Sequence, residues 1–335
     1  MPPQSIRRLT NYLYQHLKRQ VILRDIMTAF HHLIRFEAAE EEGIFFADLG
    51  PGADGPPRIG ESIAAYSTIG DLLDKRDSKT AVIQRLLAPL PRDDIPIYCV
   101  GLNYYSHAKE ARLTIPSYPP LWTKPTAALA QPNEDIQVND FCAQSLLDYE
   151  GELVVVTSKE CKDITENEAK DYILGYTVGN DISCRKFQRQ SNSGGQFFYA
   201  KAFDKFAPIG PTLISPEAFA ALPSAQVVTK VNGQIRQTAD LKNDMIFSPA
   251  KILSHMSQGT TIPAGTAIMT GTAAGVGVFL QPAAFLNHGD IVEISMDKVG
   301  TLRNKFHFQI SRTTQIIVFL QHTIIGFITM WLSLG

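Results

Sequence analysis

Asp148-Tyr149-Glu150-Gly151-Glu152-Leu153-Val154-Val155-Val156 places two carboxylates directly before an unbroken apolar, β-branched run. Leu153–Thr157 therefore reads as a buried strand, since branched side chains suit a pleated surface packed on both faces. Residues two apart in a strand share a face, so Glu150 and Glu152 project together. Side-by-side carboxylates repel unless a proton or cation compensates, and a hard divalent ion with oxygen ligands is the natural partner. A third acid, Asp181, ends the β-like segment Gly175-Tyr176-Thr177-Val178-Gly179-Asn180-Asp181 and could converge on the pair. Three carboxylates would leave positions for water and substrate, which suits Mg2+ or Mn2+. From spacing alone, acids on a solvated strand face stay an open alternative.

Upstream, Ile97–Val100 is β-like and leads into Gly101-Leu102-Asn103-Tyr104-Tyr105-Ser106-His107-Ala108-Lys109-Glu110. If a helix starts there, His107 and Glu110 are neighbours, and a carboxylate beside an imidazole can orient it as an acid/base group. An ordinary surface pair has the same spacing. Downstream of Asp181 come Arg185, Gln188 and Lys201. Lys201 sits in an apolar setting, where it could bind a substrate carboxylate or stabilise an enolate, or simply pair with Asp204. Thr270–Gly277 is a loop of small residues whose backbone amides could approach an anion, although it lacks the ending of a P-loop.

The remaining chain gives a mixed, mainly β pattern. Leu33–Asp48 reads as two strands around a Glu-rich turn, and residues 49–60 as a Gly/Pro loop. Ile69–Leu73 and Ala81–Leu87 carry helical spacing. Asn232-Gly233 between alternating segments predicts a hairpin over Val227–Arg236. Ile262–Thr272 and Ile291–Met296 add strands, and Glu166–Ile173, Pro216–Ala221 and Pro249–Met256 add helices. Strands and helices do not alternate strictly, which disfavours a doubly wound parallel sheet.

Composition narrows the classes. The 335 residues are 44% hydrophobic and 19% charged, which supports a packed core. A net charge of −2 supplies no basic field for nucleic acid. Cys99, Cys142, Cys161 and Cys184 form no CxxC pair, consistent with reduced thiols in an intracellular protein. Residues 1–30 carry Arg7, Arg8, Lys18, Arg19 and Arg24 on an amphipathic pattern, a candidate mitochondrial targeting segment or a plain surface helix. Ile316–Leu334 contains no Asp, Glu, Lys or Arg and is long enough to span a bilayer as a helix. Gln321, His322, Thr323 and Thr329 weaken that membrane-anchor reading, and a packed helix or dimer contact are alternatives.

In order along residues 97–304, GLNYYSHAKE, WTKP (122–125), DYEGELVVV, GYTVGNDISCRKFQ, AKAFDKFAPIGP, VNGQIRQ, TGTAAGVG and GTLRN resemble the fumarylacetoacetate hydrolase superfamily. The resemblance implies a β-roll core with a small N-terminal domain, and usually a homodimer. It divides the chain into an extension (1–30), a small accessory domain (31–92), a catalytic domain (95–306) and an apolar tail (307–335). It implies Mg2+ or Mn2+ on Glu150, Glu152 and Asp181, with His107 and Glu110 as acid/base dyad on a lid. Lys201 joins the catalytic groups, and Arg185, Gln188, Thr272 and Lys124 the substrate contacts. Lys186, Lys205 and Ala273 depart from the usual pattern without touching a proposed ligand.

The branch that fits best contains acylpyruvate hydrolases and oxaloacetate tautomerases or decarboxylases. The leading expectation is a cytoplasmic or mitochondrial hydrolase cleaving a carbon–carbon bond of a β-dicarbonyl or 2-oxo acid through an enolate. Alternatives are an oxaloacetate tautomerase or decarboxylase, a hydrolase of a larger biosynthetic diketone, and a non-catalytic metal-binding scaffold. These reactions share the enolate and diverge only after it.

Overall fold

The computed structural model describes residues 30–309. The candidate targeting segment and the apolar tail lie outside the described residues. Among the described residues, no helix is long and apolar enough to cross a membrane.

Eighteen strands dominate the described residues. The first half of the chain supplies β1 (His32–Ala38), β2 (Ile44–Asp48), β3 (Ser62–Ala65), β4 (Lys79–Leu87), β5 (Ile97–Val100), β6 (Leu121–Lys124), β7 (Leu129–Ala130), β8 (Ile136–Val138) and β9 (Leu147–Asp148). Then follow β10 (Gly151–Thr157), β11 (Ile173–Asn180), β12 (Ser183–Cys184), β13 (Ala207–Ile214), β14 (Gln226–Val231), β15 (Gln234–Asp240), β16 (Ala267–Thr272), β17 (Ile291–Met296) and β18 (Gly300–Phe308). An eleven-stranded sheet runs β3-β4-β1-β13-β11-β10-β16-β5-β6, with β2 added to β1 and β7 to β13. A five-stranded sheet runs β15-β14-β17-β18-β8, and β9 pairs with β12. The fold is mixed α/β and mainly β, a roll of the kind the superfamily's C-terminal domain adopts. The longer helices are α1 (Ile69–Asp74), α2 (Tyr105–Ala111) and α3 (Pro249–Ser257).

Strand β10 lies at the centre, and every one of its residues is buried. Its side chains alternate between cores. Leu153 packs between the sheets with Val178, Phe206, Val227 and Ile294. Val154 and Val156 face the opposite side with Ile97, Ile209 and Met269, and Val155 meets Ile252 and Leu253 of α3. Two-sided burial explains why the strand reads as a continuous apolar run.

Residues 31–92 enclose a smaller core of Ile34, Phe36, Phe45, Ala47 and Ile83. They are also hydrogen-bonded to the main sheet, because β1 pairs with β13 at His32↔Ile214 and Leu33↔Leu213. Ala81–Leu87, expected as helix, is strand β4 between β3 and β1. Apolar residues at 83, 86 and 87 satisfy a helical spacing, yet pairing with two neighbouring strands overrides that local pattern. Glu166–Ile173 shortens to a helix at Glu166–Ala169 and a 3-10 turn, and Ile173 already begins β11. The hairpin is β14–β15, with φ of 52° at Asn232 and 78° at Gly233, as its tight turn requires.

The two sheets approach closely at Gly151, where a Cβ would fall 1.9 Å from Thr229 Oγ1. Gly151→Ala is expected to destabilise the protein by about 1–3 kcal/mol through overpacking. Adding Thr229→Ala should recover part of that loss. Urea unfolding of the two variants checks this, and an unchanged midpoint for Gly151→Ala would contradict the close approach.

Candidate active site

The head of β10 and the end of β11 bring the three acids together. Asp181 N–H donates to Glu150 O (2.9 Å), and Glu150 N–H donates to Asn180 Oδ1 (3.0 Å). Opposite, β16 carries an irregularity between Glu152↔Thr272 and Val154↔Met269. The extra residue turns Gly271 N–H onto Glu152 Oε2 (2.7 Å). Gly271 has φ of 95°, and a Cβ there would lie 2.8 Å from Gly101 O, so this turn requires glycine. One carboxylate oxygen from each of Glu150, Glu152 and Asp181 lies within 4.8 Å of the others.

Every buried carboxylate among the described residues belongs to this neighbourhood: Asp148, Glu150, Glu152 and Asp181. Three buried cations accompany them. Arg185 binds Asp148 Oδ2 through Nε (2.8 Å) and Glu150 Oε1 through Nη1 (2.5 Å). Lys201 Nζ bridges Glu150 Oε2 (2.9 Å) and Asp181 Oδ2 (2.6 Å). Lys124 Nζ lies 2.5 Å from Asp181 Oδ1, an ion-pair contact without hydrogen-bond alignment. Lys124 also donates to Ile182 O and Phe206 O. Lys201 thus pairs with Glu150 and Asp181 and not with Asp204.

Glu152 makes no ion pair, and its Oε1 has no hydrogen-bond partner. Burial first, then the charges of Asp181 and Glu150, push its carboxyl well above the usual range. For Glu150, burial also opposes ionisation, but Lys201, Arg185 and His107 outweigh it and hold the carboxyl low. The donor set fits a hard divalent ion. All three groups offer oxygen, they converge, and one buried oxygen lacks any partner.

His107 and Glu110 sit on α2, joined by His107 Nδ1 and Glu110 Oε1 at 2.9 Å. Gly275 N–H donates to both Glu110 oxygens (3.1 and 3.0 Å). Ser106 N–H donates to Asp244 Oδ1 (2.9 Å), fixing the start of α2. Buried Asn103 ties the preceding strap to Thr270 O (2.6 Å) and Phe247. The small-residue loop does bind anions, and they belong to the chain itself. Gly277 and Val278 N–H donate to Asp148 (2.8 and 2.9 Å), beside the Gly275–Glu110 contact.

A cleft of about 600 Å3 opens over this centre. His107, Glu150, Arg185, Gln188, Lys201 and Thr272 line it. Gln188 Oε1 accepts from Arg185 Nη1 (2.9 Å). Thr272 Oγ1 donates to Gly151 O (3.0 Å) and accepts from Gln237 Nε2 (2.7 Å). Lys124 is fully buried and absent from the cleft wall, behind Asp181. Sequence reasoning passed over Asp148, Asp244 and Gln237. Asp148 carried a usable signal, since it shares the period-two spacing of Glu150 and Glu152. Gln237 closes the VNGQIRQ motif but its spacing pointed to no partner, and Asp244 is distant in sequence and carried no signal.

Residues 96–307 match the family model for the fumarylacetoacetate (FAA) hydrolase C-terminal domain. The chain belongs to the fumarylacetoacetate hydrolase family. It is 37% identical over 223 residues to oxaloacetate tautomerase YisK of Bacillus subtilis, covering 66% of this chain and 72% of that protein. It is 34% identical over 219 residues to human mitochondrial oxaloacetate tautomerase FAHD2A, covering 65% and 68% respectively. Its structure resembles fumarylacetoacetate hydrolase from Exiguobacterium antarcticum, with a TM-score of 0.66 and 29% identity, covering 83% of this chain and 100% of the other. The protein is an enzyme of this superfamily, with carbon–carbon bond chemistry of the isomerase, tautomerase or decarboxylase type. The scaffold reading is thereby set aside.

Ion binding needs Glu152 as a carboxylate, whereas without a cation its proton is held above the usual range. Raising pH through that range removes the proton and favours the ion, so Mg2+ affinity should rise with pH and binding should release protons. Calorimetric titration in buffers of different ionisation heat measures this. Glu152→Gln should abolish both effects, and proton uptake on binding would contradict the assignment.

Proposed function

We propose that this enzyme is a divalent-metal-dependent tautomerase of 2-oxo acids, moving a proton between carbon and oxygen of a keto–enol pair. The observation that carries the reading is the convergence of Glu150, Glu152 and Asp181 beneath a cleft walled by His107. Similarity to two oxaloacetate tautomerases favours this reaction over the carbon–carbon hydrolysis that heads the sequence reading.

Glu150, Glu152 and Asp181 would hold Mg2+ or Mn2+. A divalent ion there supplies Lewis-acid polarisation of the oxo-acid oxygens. Glu110 fixes the His107 ring through Nδ1, leaving Nε2 to exchange a proton with the substrate. In the keto-to-enol direction His107 would take the proton from C3 and deliver it to the C2 oxygen, so the C3–H bond breaks and an O–H bond forms. The reverse direction returns the proton to C3, so no water is consumed. Lys201 remains a cation in its acidic surroundings, despite the opposing effect of burial, and supplies positive charge beside Glu150. Gln188 keeps its amide N–H groups for substrate, since its oxygen is taken by Arg185. Thr272 borders the same head region, and Arg185 orients Gln188 and Glu150. Lys124 acts from behind, holding Asp181 in place.

Residues 31–92 are proposed as an accessory unit, because no residue before Gly101 lines the cleft. Assembly as a homodimer and a cytoplasmic or mitochondrial location belong to the same proposal. The mitochondrial location follows the printed name of the human relative.

Ultraviolet absorbance of the oxaloacetate enol, with product analysis, tests the reaction. Metal-dependent enol–keto exchange without cleavage is expected, and loss of substrate to a cleaved product would favour the hydrolase or decarboxylase. His107→Ala should lower kcat by about a hundredfold or more, the scale of acid/base catalysis. Glu110→Gln should lower kcat with less effect on KM, and an unchanged kcat in both variants would contradict the dyad.

A further inference from the structure

Beside its polar groups, the cleft has an extensive apolar wall. Leu113, Trp122, Leu146, Phe197, Phe279 and Phe285 form much of that wall. Aromatic rings border the reactive groups on two fronts. The Trp122 ring lies 5.0 Å from Lys201 Nζ, and Phe197 meets Trp122 edge-on at 5.9 Å. Phe279 meets the His107 ring edge-on at 5.9 Å. Leu113 is 56% exposed, and Phe197 and Phe279 each 38%, so large apolar surface faces water at the mouth. Such surface marks a place where an apolar ligand binds.

Size points the same way. A cleft of about 600 Å3 falls within the usual range for drug-sized ligands, about 300–1,000 Å3. A four-carbon diacid would leave most of it to water. A diacid would also need a second cation. Lys201 and Arg185 are already committed to buried carboxylates. Among the described residues of the wall, the other Lys or Arg is Arg189, and it is exposed, where a carboxylate pair is weak.

We infer that the preferred substrate carries a flat apolar group, aryl or similarly conjugated, on C3 of the 2-oxo acid. This rests on the tautomerase reading and narrows its substrate class. With such a group the enol double bond is conjugated with the ring and planar, a shape that stacks against Phe197, Phe279 and Trp122. Phe197 is then a specificity-determining residue.

The test compares enol–keto exchange of phenylpyruvate and oxaloacetate by the full chain with Mg2+, in the wild type, Phe197→Ala and Arg189→Gln. Phenylpyruvate should be favoured by about tenfold or more in kcat/KM, the scale of differential apolar contact in a pocket. Phe197→Ala should erode that ratio mainly through KM for phenylpyruvate, and Arg189→Gln should leave the ratio in place. Quenching of tryptophan fluorescence by phenylpyruvate, present in the wild type and lost in Trp122→Phe, gives a readout of binding independent of turnover. Equal or better use of oxaloacetate, with the ratio sensitive to Arg189→Gln, overturns the inference and leaves the tautomerase reading standing. Turnover of neither acid by folded, metal-loaded protein overturns both.

Discussion

Asp148, Glu150, Glu152 and Asp181 are buried with only Lys124, Arg185 and Lys201 to balance them. Burying a charge without a partner is expensive, so a fold that collects four carboxylates needs each one compensated. Asp148 has Arg185 and backbone amides, while Glu150 and Asp181 share Lys201. Glu152 receives one amide and no cation. Burial and the charges of Asp181 and Glu150 push its carboxyl well above the usual range, an imbalance that a divalent ion would relieve. Much of the surrounding backbone serves the same cluster. The irregularity of β16 aims Gly271 N–H at Glu152, and the end of the β10–β11 ladder sets Asp181 beside Glu150.

The His107–Glu110 pair depends on the same scaffold. The 273–278 loop spends its amides on the protein's own carboxylates, Glu110 on one side and Asp148 on the other. Its position is fixed further by Gln237, which donates to Ala273 O (2.9 Å), and by Tyr149, which donates to Gly275 O (2.8 Å). His107 is thus connected to the acidic centre through hydrogen bonds as well as across the cleft. Asp148 takes no part in the proposed metal ligation, yet it links Arg185 to the loop that holds Glu110. A charge placed to anchor two other functional groups explains why a fourth carboxylate is tolerated in the interior.

The sequence made the acidic centre readable because strand periodicity is strict and local. Glu150, Glu152 and the apolar run behind them identify a face, a strand and its depth together. The Asn232-Gly233 hairpin was readable for the same reason, since its turn chemistry lies within two residues. Ala81–Leu87 misled because apolar positions 83, 86 and 87 satisfy a helix equally well, and only pairing with β1 and β3 decides. The partner of Lys201 was hidden too. Asp204 is its near neighbour in sequence, whereas Glu150 and Asp181 reach it through the pairing of distant strands. The retreat of Lys124 from the cleft wall is likewise a fact of tertiary packing.

Glu150, Glu152 and Asp181 are proposed to bind one hard divalent ion. Electron paramagnetic resonance of free Mn2+, titrated with the purified chain, measures bound ion directly and without reference to turnover. Saturable binding of one ion per chain is expected, competed by Mg2+, and lost in Asp181→Ala while the protein stays folded by circular dichroism. Mn2+ binding that is undiminished in folded Asp181→Ala and Glu152→Gln proteins would contradict it.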